Sequence, residues 1–450
     1  MCQIKKNKLH LNKFLYILLL VPVMLCAQQK IAGQFSTNDD YKWVLLYRVT
    51  PQNSEYVDRA TVSEEGNFEF TLEEEHQPGM YKLVYDVPQD QYNFDIIYNA
   101  KEDVVFTFSS EKGLEYSSST ENKLMSSYTK SIGMVSQSIG NFYNQQSTDS
   151  TALLAIFNTL KDTQQEYEKL AENTIVSNFI KANRPYIPQK FENVSEYITN
   201  IRSHYFDHVD FNNSILQSSS FLVERVLNFV FGMSTDGQTD ATIYQNNIVD
   251  VVKAMQKATP ETQKIILNIL WQQLAESNYE DLANFITDNY LLKLATELKQ
   301  DDLVNELVQF KNLSFGMPAP DFDVTFIENN KDVTKKLSQL EISQYYVLVF
   351  WSSGCSHCLE ELPQLQSFMK KFKPEEVKVV AFGLEEEDYR WKSQIINFPD
   401  FIHVIGLGKW DNEIGKAYNI SATPTYFVLD KDKKILAKPL DLEELKTVLQ

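Results

Sequence analysis

Two cysteines three positions apart, Cys355 and Cys358, are the residues of this chain whose types and spacing best suit a chemical reaction. They follow the apolar run Tyr345–Trp351, which predicts a buried strand, and they begin a stretch in which apolar residues recur at helical spacing. A cysteine at the start of a helix meets free backbone N–H groups and the positive end of the helix dipole, which favour thiolate over thiol. We therefore predict that Cys355 is the attacking nucleophile and that Cys358 resolves the mixed disulfide.

Two other roles for this cysteine pair are structural. A disulfide between residues so close in sequence would add little stability, because the stabilisation grows with the length of the closed loop. A zinc site would need two more soft ligands, and the remaining cysteines, Cys2 and Cys26, lie in the first 27 residues. We therefore predict a redox-active pair without a metal or cofactor.

The chain divides into three regions that differ in composition and periodicity. Residues 28–112 alternate short β-rich runs with turn residues, which predicts an antiparallel β-sandwich. Residues 113–312 are rich in Gln, Asn, Ser and Leu and have helical periodicity, which predicts an all-α domain of about six helices. Strands and helices alternate over residues 313–450, which predicts an α/β domain with a mixed sheet. The expected fold is therefore multidomain.

The last region resembles the TlpA/ResA type of thioredoxin-like protein, which comprises exported bacterial thiol-disulfide oxidoreductases. The resemblance covers about residues 316–450. It rests on four ordered segments: Ala-Pro-Asp-Phe at 319–322, Val-Phe-Trp at 349–351, Cys-x-x-Cys-x-x-Glu-x-Pro at 355–363, and Ala-Thr-Pro-Thr-Tyr-Phe-Val-Leu-Asp at 422–430. The regions before it look like the N-terminal extensions of TlpA-type proteins from Bacteroidetes.

The resemblance implies roles for residues around the cysteines. Pro424 matches the position of the family's cis-proline, and the backbone of Thr423 would pair with an extended segment of the substrate. Glu361 matches the buried acid that takes the proton when the second cysteine attacks. We also assign Trp351 and His357, which flank the first cysteine, to the substrate-binding surface.

The charge of the chain narrows its possible partners. It carries 61 acidic against 42 basic residues, a formal net charge of -19, which excludes an unassisted binder of nucleic acid or of an anionic membrane surface. One acidic run, at 385–388, is expected to be a solvated loop or the start of a helix.

The first 27 residues indicate export. Four lysines precede an apolar run of about twelve residues and a small residue, Ala27, which is the pattern of a cleaved secretory signal peptide. A bilayer span needs about 20 apolar residues, so this run is too short to remain as a membrane helix. Acylation of Cys26 is disfavoured, because Leu25 stands where a lipoprotein signal needs a small residue. We therefore expect a mature periplasmic protein that does not span the membrane.

These features predict an exported oxidoreductase that reduces disulfides of periplasmic client proteins, and the resemblance implies a membrane electron donor. Two alternatives remain. His357 could stabilise the thiolate of Cys355 and make the disulfide more oxidising, which would favour an oxidase or isomerase. The protein could also be a surface binding protein whose sandwich and helical domains hold a ligand, with the redox domain as an accessory.

Overall fold

The computed structural model describes residues 29–450 except 37–39, 51–52, 74, 234–238, 278 and 329–330. The predicted signal peptide lies outside the described residues. The contacts of the chain divide it into two compact units, Met1–Phe221 and Leu222–Gln450. The division falls inside the region that the sequence assigns to one helical domain, and the predicted domain boundaries stay predictions. No helix among the described residues is both long and apolar enough to cross a membrane.

The first unit contains a β-sandwich. Its strands are β1 (Gln29–Phe35), β2 (Trp43–Val49), β3 (Ser54–Thr61), β4 (Asn67–Leu72), β5 (Gly79–Val84), β6 (Asn93–Tyr98), β7 (Val104–Ser109) and β8 (Gly113–Tyr116). They form two four-stranded sheets, ordered β4-β1-β7-β8 and β3-β2-β5-β6, whose side chains share one aromatic-rich core. The expectation of a purely antiparallel sandwich is corrected at β1 and β7, which pair in parallel. Alternating hydrophobicity does not reveal the direction of pairing between strands so distant in sequence.

Helices fill the middle of the chain. The first unit holds α1 (Thr120–Asn144), α2 (Ser150–Leu170), α3 (Ser177–Ala182), α4 (Val194–Ser203) and α5 (Ser214–Gln217). The second holds α7 (Asp240–Ala254), α8 (Pro260–Glu276), α9 (Glu280–Ile286), a π-helical turn (Thr287–Leu291), α10 (Leu292–Glu297) and α11 (Asp301–Asn312), while α6 (Phe221–Gly232) begins at the last residue of the first unit. The described residues thus contain more helices than the six expected, because several are short pieces ended by local caps and turns.

The α/β domain of the second unit is built on one five-stranded sheet. Its strands are β11 (Tyr345–Trp351), β12 (Val377–Glu385), β13 (Ile402–Leu407), β14 (Thr425–Leu429) and β15 (Ile435–Ala437), in the order β13-β12-β11-β14-β15. The first three run parallel, and β14 and β15 are antiparallel. Its helices are α12 (Ser356–Met369), α13 (Asp388–Ile395), α14 (Glu413–Ala417) and α15 (Leu442–Val448), and a hairpin of β9 (Asp323–Glu328) and β10 (Lys331–Lys336) precedes the sheet.

The central strand β11 is buried on both faces, as its apolar sequence predicts. Leu348 and Phe350 point into a core on one face, together with Tyr418. Val349 and Trp351 point into the core on the other face, which also contains Cys358. Successive residues of a strand alternate between faces, so β11 carries both cores and delivers the following cysteines to the edge of the second one.

Helices α8–α11 pack within the same unit as the α/β domain. The Glu280 carboxylate forms an ion pair with Lys438 and accepts a hydrogen bond from the backbone N–H of Phe315 at 3.0 Å. The side-chain amide of Gln309 donates to the carbonyl of Lys416 at 2.6 Å. The predicted fold class is confirmed: a β-rich N-terminal region, a helical middle and a C-terminal α/β domain make a multidomain protein.

Candidate active site

Cys355 occupies the N-cap position of α12. Its backbone is extended, and its Sγ accepts a hydrogen bond from the N–H of Cys358 at 3.2 Å. The same Sγ lies 3.2 Å from the carbonyl oxygen of Thr423, to which the thiol can donate. Both cysteines carry free thiols, but Cys355 is half-buried and Cys358 is completely buried. A partner molecule can therefore reach the first thiol and not the second.

Competing effects set the acidity of Cys355. Partial burial alone would raise its pKa, but hydrogen bonds from the Cys358 thiol, from the Thr423 side chain and from the backbone N–H groups of Cys358 and His357 outweigh burial and lower it. The N–H groups are those that a helix start leaves without internal partners. Local hydrogen bonding thus favours the thiolate at Cys355.

Cys358 has the opposite environment. Burial raises the pKa of its thiol to about 12, and the hydrogen bond with Cys355 acts in the same direction. It lies in the core beneath α12, packed with Leu362 and Trp351. At neutral pH this residue is therefore a thiol that needs a proton acceptor before it can attack.

The loop before β14 faces the first cysteine. The peptide bond between Thr423 and Pro424 is cis, and both residues are half-buried. Because the carbonyl of Thr423 points at Cys355 Sγ, this loop forms one wall of the entrance to the thiol. The predicted pairing of Thr423 with a client segment stays a prediction.

Glu361 lies on α12 one turn after Cys358 and is half-buried, whereas its neighbour Glu360 is exposed. Its Oε2 accepts a hydrogen bond from the hydroxyl of Tyr426 at 2.8 Å. Tyr426 is completely buried and shares the core that contains Cys358. The structure therefore joins Glu361 to a tyrosine of the core that contains Cys358, and its role as proton acceptor stays a prediction.

Two residues predicted to contact substrate occupy different environments. Trp351 is completely buried and packs against Phe398 at 6.3 Å between ring centroids, so it has no surface to offer a client. The cause is the alternation along β11, which turns its side chain into the core. His357 is exposed, but the contact that lowers the pKa of Cys355 comes from its backbone N–H.

One residue of the site escaped the sequence analysis. Glu385, placed in an expected solvated run, is 6% exposed and is the last residue of β12. Its Oε1 accepts the backbone N–H of Ser353 at 2.5 Å, and its Oε2 accepts the hydroxyl of Ser353 at 2.9 Å. Parallel strands end at the same edge of a sheet, so an acid ending the strand after β11 could have been placed near the cysteine loop.

A cleft of about 350 Å³ opens next to this loop. Gly354 and Glu385 line it on the side of the cysteines, and Tyr389, Arg390 and Lys409 line it elsewhere. Among the described residues, no three potential metal ligands come together. The site is therefore built from two thiols, the carboxylates of Glu361 and Glu385, and a polar cleft.

Comparisons with known proteins match part of the chain. Residues 343–435 match a family model described as thioredoxin-like. A thiol-disulfide oxidoreductase ResA of Bacillus cereus is 28% identical over 128 residues, which are 28% of this chain and 70% of the relative. ResA of Bacillus subtilis (strain 168) is 28% identical over 130 residues, which are 28% of this chain and 67% of the relative.

Several solved structures are similar to part of this chain. The thioredoxin domain of a thiol-disulfide oxidoreductase from Bacteroides vulgatus is 25% identical with a TM-score of 0.27, and the match covers 30% of this chain and 96% of that one. The predicted resemblance of the N-terminal regions stays a prediction, because the family model matches residues 343–435. The C-terminal domain of this chain is thioredoxin-like, and it is similar to thiol-disulfide oxidoreductases of the ResA type.

Proposed function

We propose that the protein is exported and reduces disulfide bonds of client proteins in the periplasm. The observation that carries the proposal is the contrast between the two thiols. Cys355 is accessible and its pKa is lowered, whereas Cys358 is buried and its pKa is raised to about 12. A client disulfide can meet only Cys355, and Cys358 is placed to attack Cys355 afterwards.

The reaction proceeds by two thiol-disulfide exchanges. The thiolate of Cys355 attacks one sulfur of the client disulfide, whose S–S bond breaks, and the other client sulfur leaves as a thiolate. Cys358 then gives up its proton and attacks Cys355 Sγ, so that the mixed disulfide breaks and the second client thiolate leaves. The client gains two electrons, and the protein is left with a disulfide between Cys355 and Cys358. Glu361 is the acceptor of the Cys358 proton in this scheme.

The raised pKa of Cys358 supports electron flow from the protein to the client. In an oxidase, a client thiolate attacks Cys355 of the disulfide and displaces Cys358, and a thiol with a raised pKa is a poor leaving group. The oxidase alternative relied on the imidazole of His357, whose ring makes no hydrogen bond to the thiolate among the contacts that lower its pKa.

Export and recharging complete the proposal. The basic and apolar start of the chain directs it across the membrane, and the mature protein works in the periplasm. Each cycle consumes two electrons, and glutathione is not the reductant of that compartment, so a membrane electron donor returns the disulfide to the dithiol. Disulfide-bonded proteins of the cell envelope are the clients.

A trapping experiment tests the compartment and the clients. The full chain with Cys358→Ser cannot resolve the mixed disulfide, so periplasmic proteins should accumulate as adducts of Cys355, identified by mass spectrometry. Cys355→Ser is the matched control and should trap none. Adducts restricted to cytoplasmic proteins would contradict the proposed location. A cell phenotype unchanged by Cys355→Ser would favour the ligand-binding alternative.

A redox titration tests the direction of electron flow. We expect a midpoint potential below about -200 mV, in the range of glutaredoxins and thioredoxin. A value near about -120 mV, typical of a strong oxidant, would instead favour an oxidase. The titration uses the full mature chain, with Cys355→Ser as the control that must show no transition.

A further inference from the structure

Tyr426 is a buried polar residue to which the resemblance assigns no role. It is the second residue of β14, two positions after Pro424, and its side chain is completely buried. Its hydroxyl donates to Oε2 of Glu361 at 2.8 Å, across 65 residues of sequence. A buried hydroxyl needs a partner to offset its desolvation, and Glu361 is the partner that it has.

The charges around the phenol keep it protonated. Burial is the largest cause that raises the pKa of Tyr426, followed by its hydrogen bond with Glu361 and the negative charges of Glu361, Cys358 and Asp441. These three groups face it from α12 and from the start of α15. Near neutral pH Tyr426 is therefore a hydrogen-bond donor, and it does not itself carry the proton.

We propose that Tyr426 is a positioning residue for the resolving step, because its hydroxyl holds the carboxylate of Glu361 beside the buried end of the cysteine pair. The proton of Cys358 passes to that carboxylate, the Cys358 sulfur bonds to Cys355 Sγ, and the client sulfur leaves as a thiolate. The proposal rests on the proposed function. It adds that the orientation of Glu361, the proton acceptor, depends on a residue of β14, the strand that follows Pro424.

Geometry explains why a fixed carboxylate matters. Glu361 has three side-chain torsions and is only half-buried, so without a partner its carboxylate could turn toward solvent. A proton acceptor has to remain within hydrogen-bond reach of its donor. A single hydrogen bond from a rigid, buried ring removes much of that freedom, and hydrogen bonds to charged groups are among the stronger ones.

The test follows the two exchange steps in one trace. The reduced full chain is mixed with 5,5′-dithiobis(2-nitrobenzoate), whose first coloured thiolate reports attack by Cys355 and whose second reports attack by Cys358. We expect Glu361→Gln to slow the second step by about a hundredfold, the lower end of general acid–base effects. Tyr426→Phe should slow it by about tenfold, as expected for loss of one hydrogen bond to a charged group. The first step should keep its rate in both variants.

A double-mutant cycle separates positioning from packing. If Tyr426 acts through Glu361, the variant with both changes should be no slower than Glu361→Gln alone. Tyr418→Phe is the matched control, because that tyrosine is equally buried but donates to the carbonyl of Pro320 at 2.7 Å on the opposite face of the sheet. It should leave the second step unchanged and add nothing to the effect of Glu361→Gln.

Several outcomes would overturn the proposal. They are a second step that Tyr426→Phe leaves unchanged, effects of Tyr426→Phe and Glu361→Gln that multiply, or a Glu361→Gln variant with the normal rate. If Tyr426→Phe does not fold, Glu361→Asp tests the same contact, because it keeps the charge but shortens the reach toward the hydroxyl; a normal second step in that variant would also reject the proposal. An unmodified chain that shows no exchange at all would instead reject the proposed function.

Discussion

The two thiols of this site differ because of a single helix turn. Cys355 stands at the open end of α12, where backbone N–H groups reach its sulfur, while Cys358 lies in the first turn and packs into the core. Hydrogen bonds lower the pKa of one thiol, and burial raises the pKa of the other to about 12. The two pKa values differ because the thiols occupy different positions along the helix, and a neighbouring charged side chain is not needed for this difference.

This separation predicts how the thiols react with an alkylating agent. Alkylation requires the thiolate, so a lowered pKa lets Cys355 react at a pH below that of an ordinary cysteine. At neutral pH we expect the reduced protein to react at Cys355 faster than at Cys358 by roughly a hundredfold or more, since each pKa unit changes the thiolate fraction about tenfold. Iodoacetamide labelling at several pH values, read by peptide mass spectrometry, measures both rates. Equal labelling of the two cysteines near pH 7 would contradict the assignment.

At the scale of elements, strand β12 supports the cysteine loop through Glu385. Its carboxylate accepts hydrogen bonds from the backbone N–H and the hydroxyl of Ser353. The carbonyl of Ser352 accepts the backbone N–H of Cys355 at 3.1 Å. The loop between β11 and α12 is therefore attached to the neighbouring strand. This arrangement fixes the path of the chain into the nucleophile.

Removal of the Glu385 carboxylate should therefore destabilise the loop. In Glu385→Ala the buried N–H and hydroxyl of Ser353 lose their acceptor, which costs about 1–3 kcal/mol. Attack by Cys355 on a small disulfide should also slow, because the loop no longer holds its sulfur in place. Glu386→Ala, which changes the exposed neighbour, should alter stability by less than about 0.5 kcal/mol. Denaturant unfolding measures the stability of both variants, and equal losses would show that the Glu385 carboxylate does not stabilise the loop.

The elements themselves were accessible from sequence more readily than the contacts between them. The apolar run of β11, the cysteine spacing and the segment around Pro424 mark a strand, a helix start and a loop without any tertiary information. The contacts of Glu385 with Ser353 and of Tyr426 with Glu361 join residues 32 and 65 positions apart in sequence, and they depend on which elements lie side by side. Local sequence patterns do not indicate which distant segments pair, so Glu385 at the end of a strand could not be distinguished from an acid in a loop.

At the scale of the whole molecule, the boundary of the second unit lies well before the redox domain. Helices α8–α11 belong to the same compact unit as the five-stranded sheet, and Glu280 is one of the residues that join them. It is nearly buried, with 11% side-chain exposure, and pairs with Lys438 just after β15. The ammonium of Lys438 also lies 4.8 Å from the ring centroid of Phe315. A charge pair with so little solvent screening should couple the helices to the sheet.

We therefore expect Glu280→Gln in the full chain to loosen this junction by about 1–2 kcal/mol, less than for a fully buried pair because Lys438 keeps contact with water. The amide oxygen can still accept the Phe315 N–H, so the loss reports the missing charge. Because the chain has two compact units, a single melting curve would mix them, and hydrogen exchange of β15 and α9 localises the effect. Glu443→Gln is the control, since that glutamate pairs with Lys446 while 79% exposed and should leave exchange unchanged. Faster exchange in β15 alone, with α9 unaffected, would mean that the pair stabilises the sheet edge without joining it to the helices.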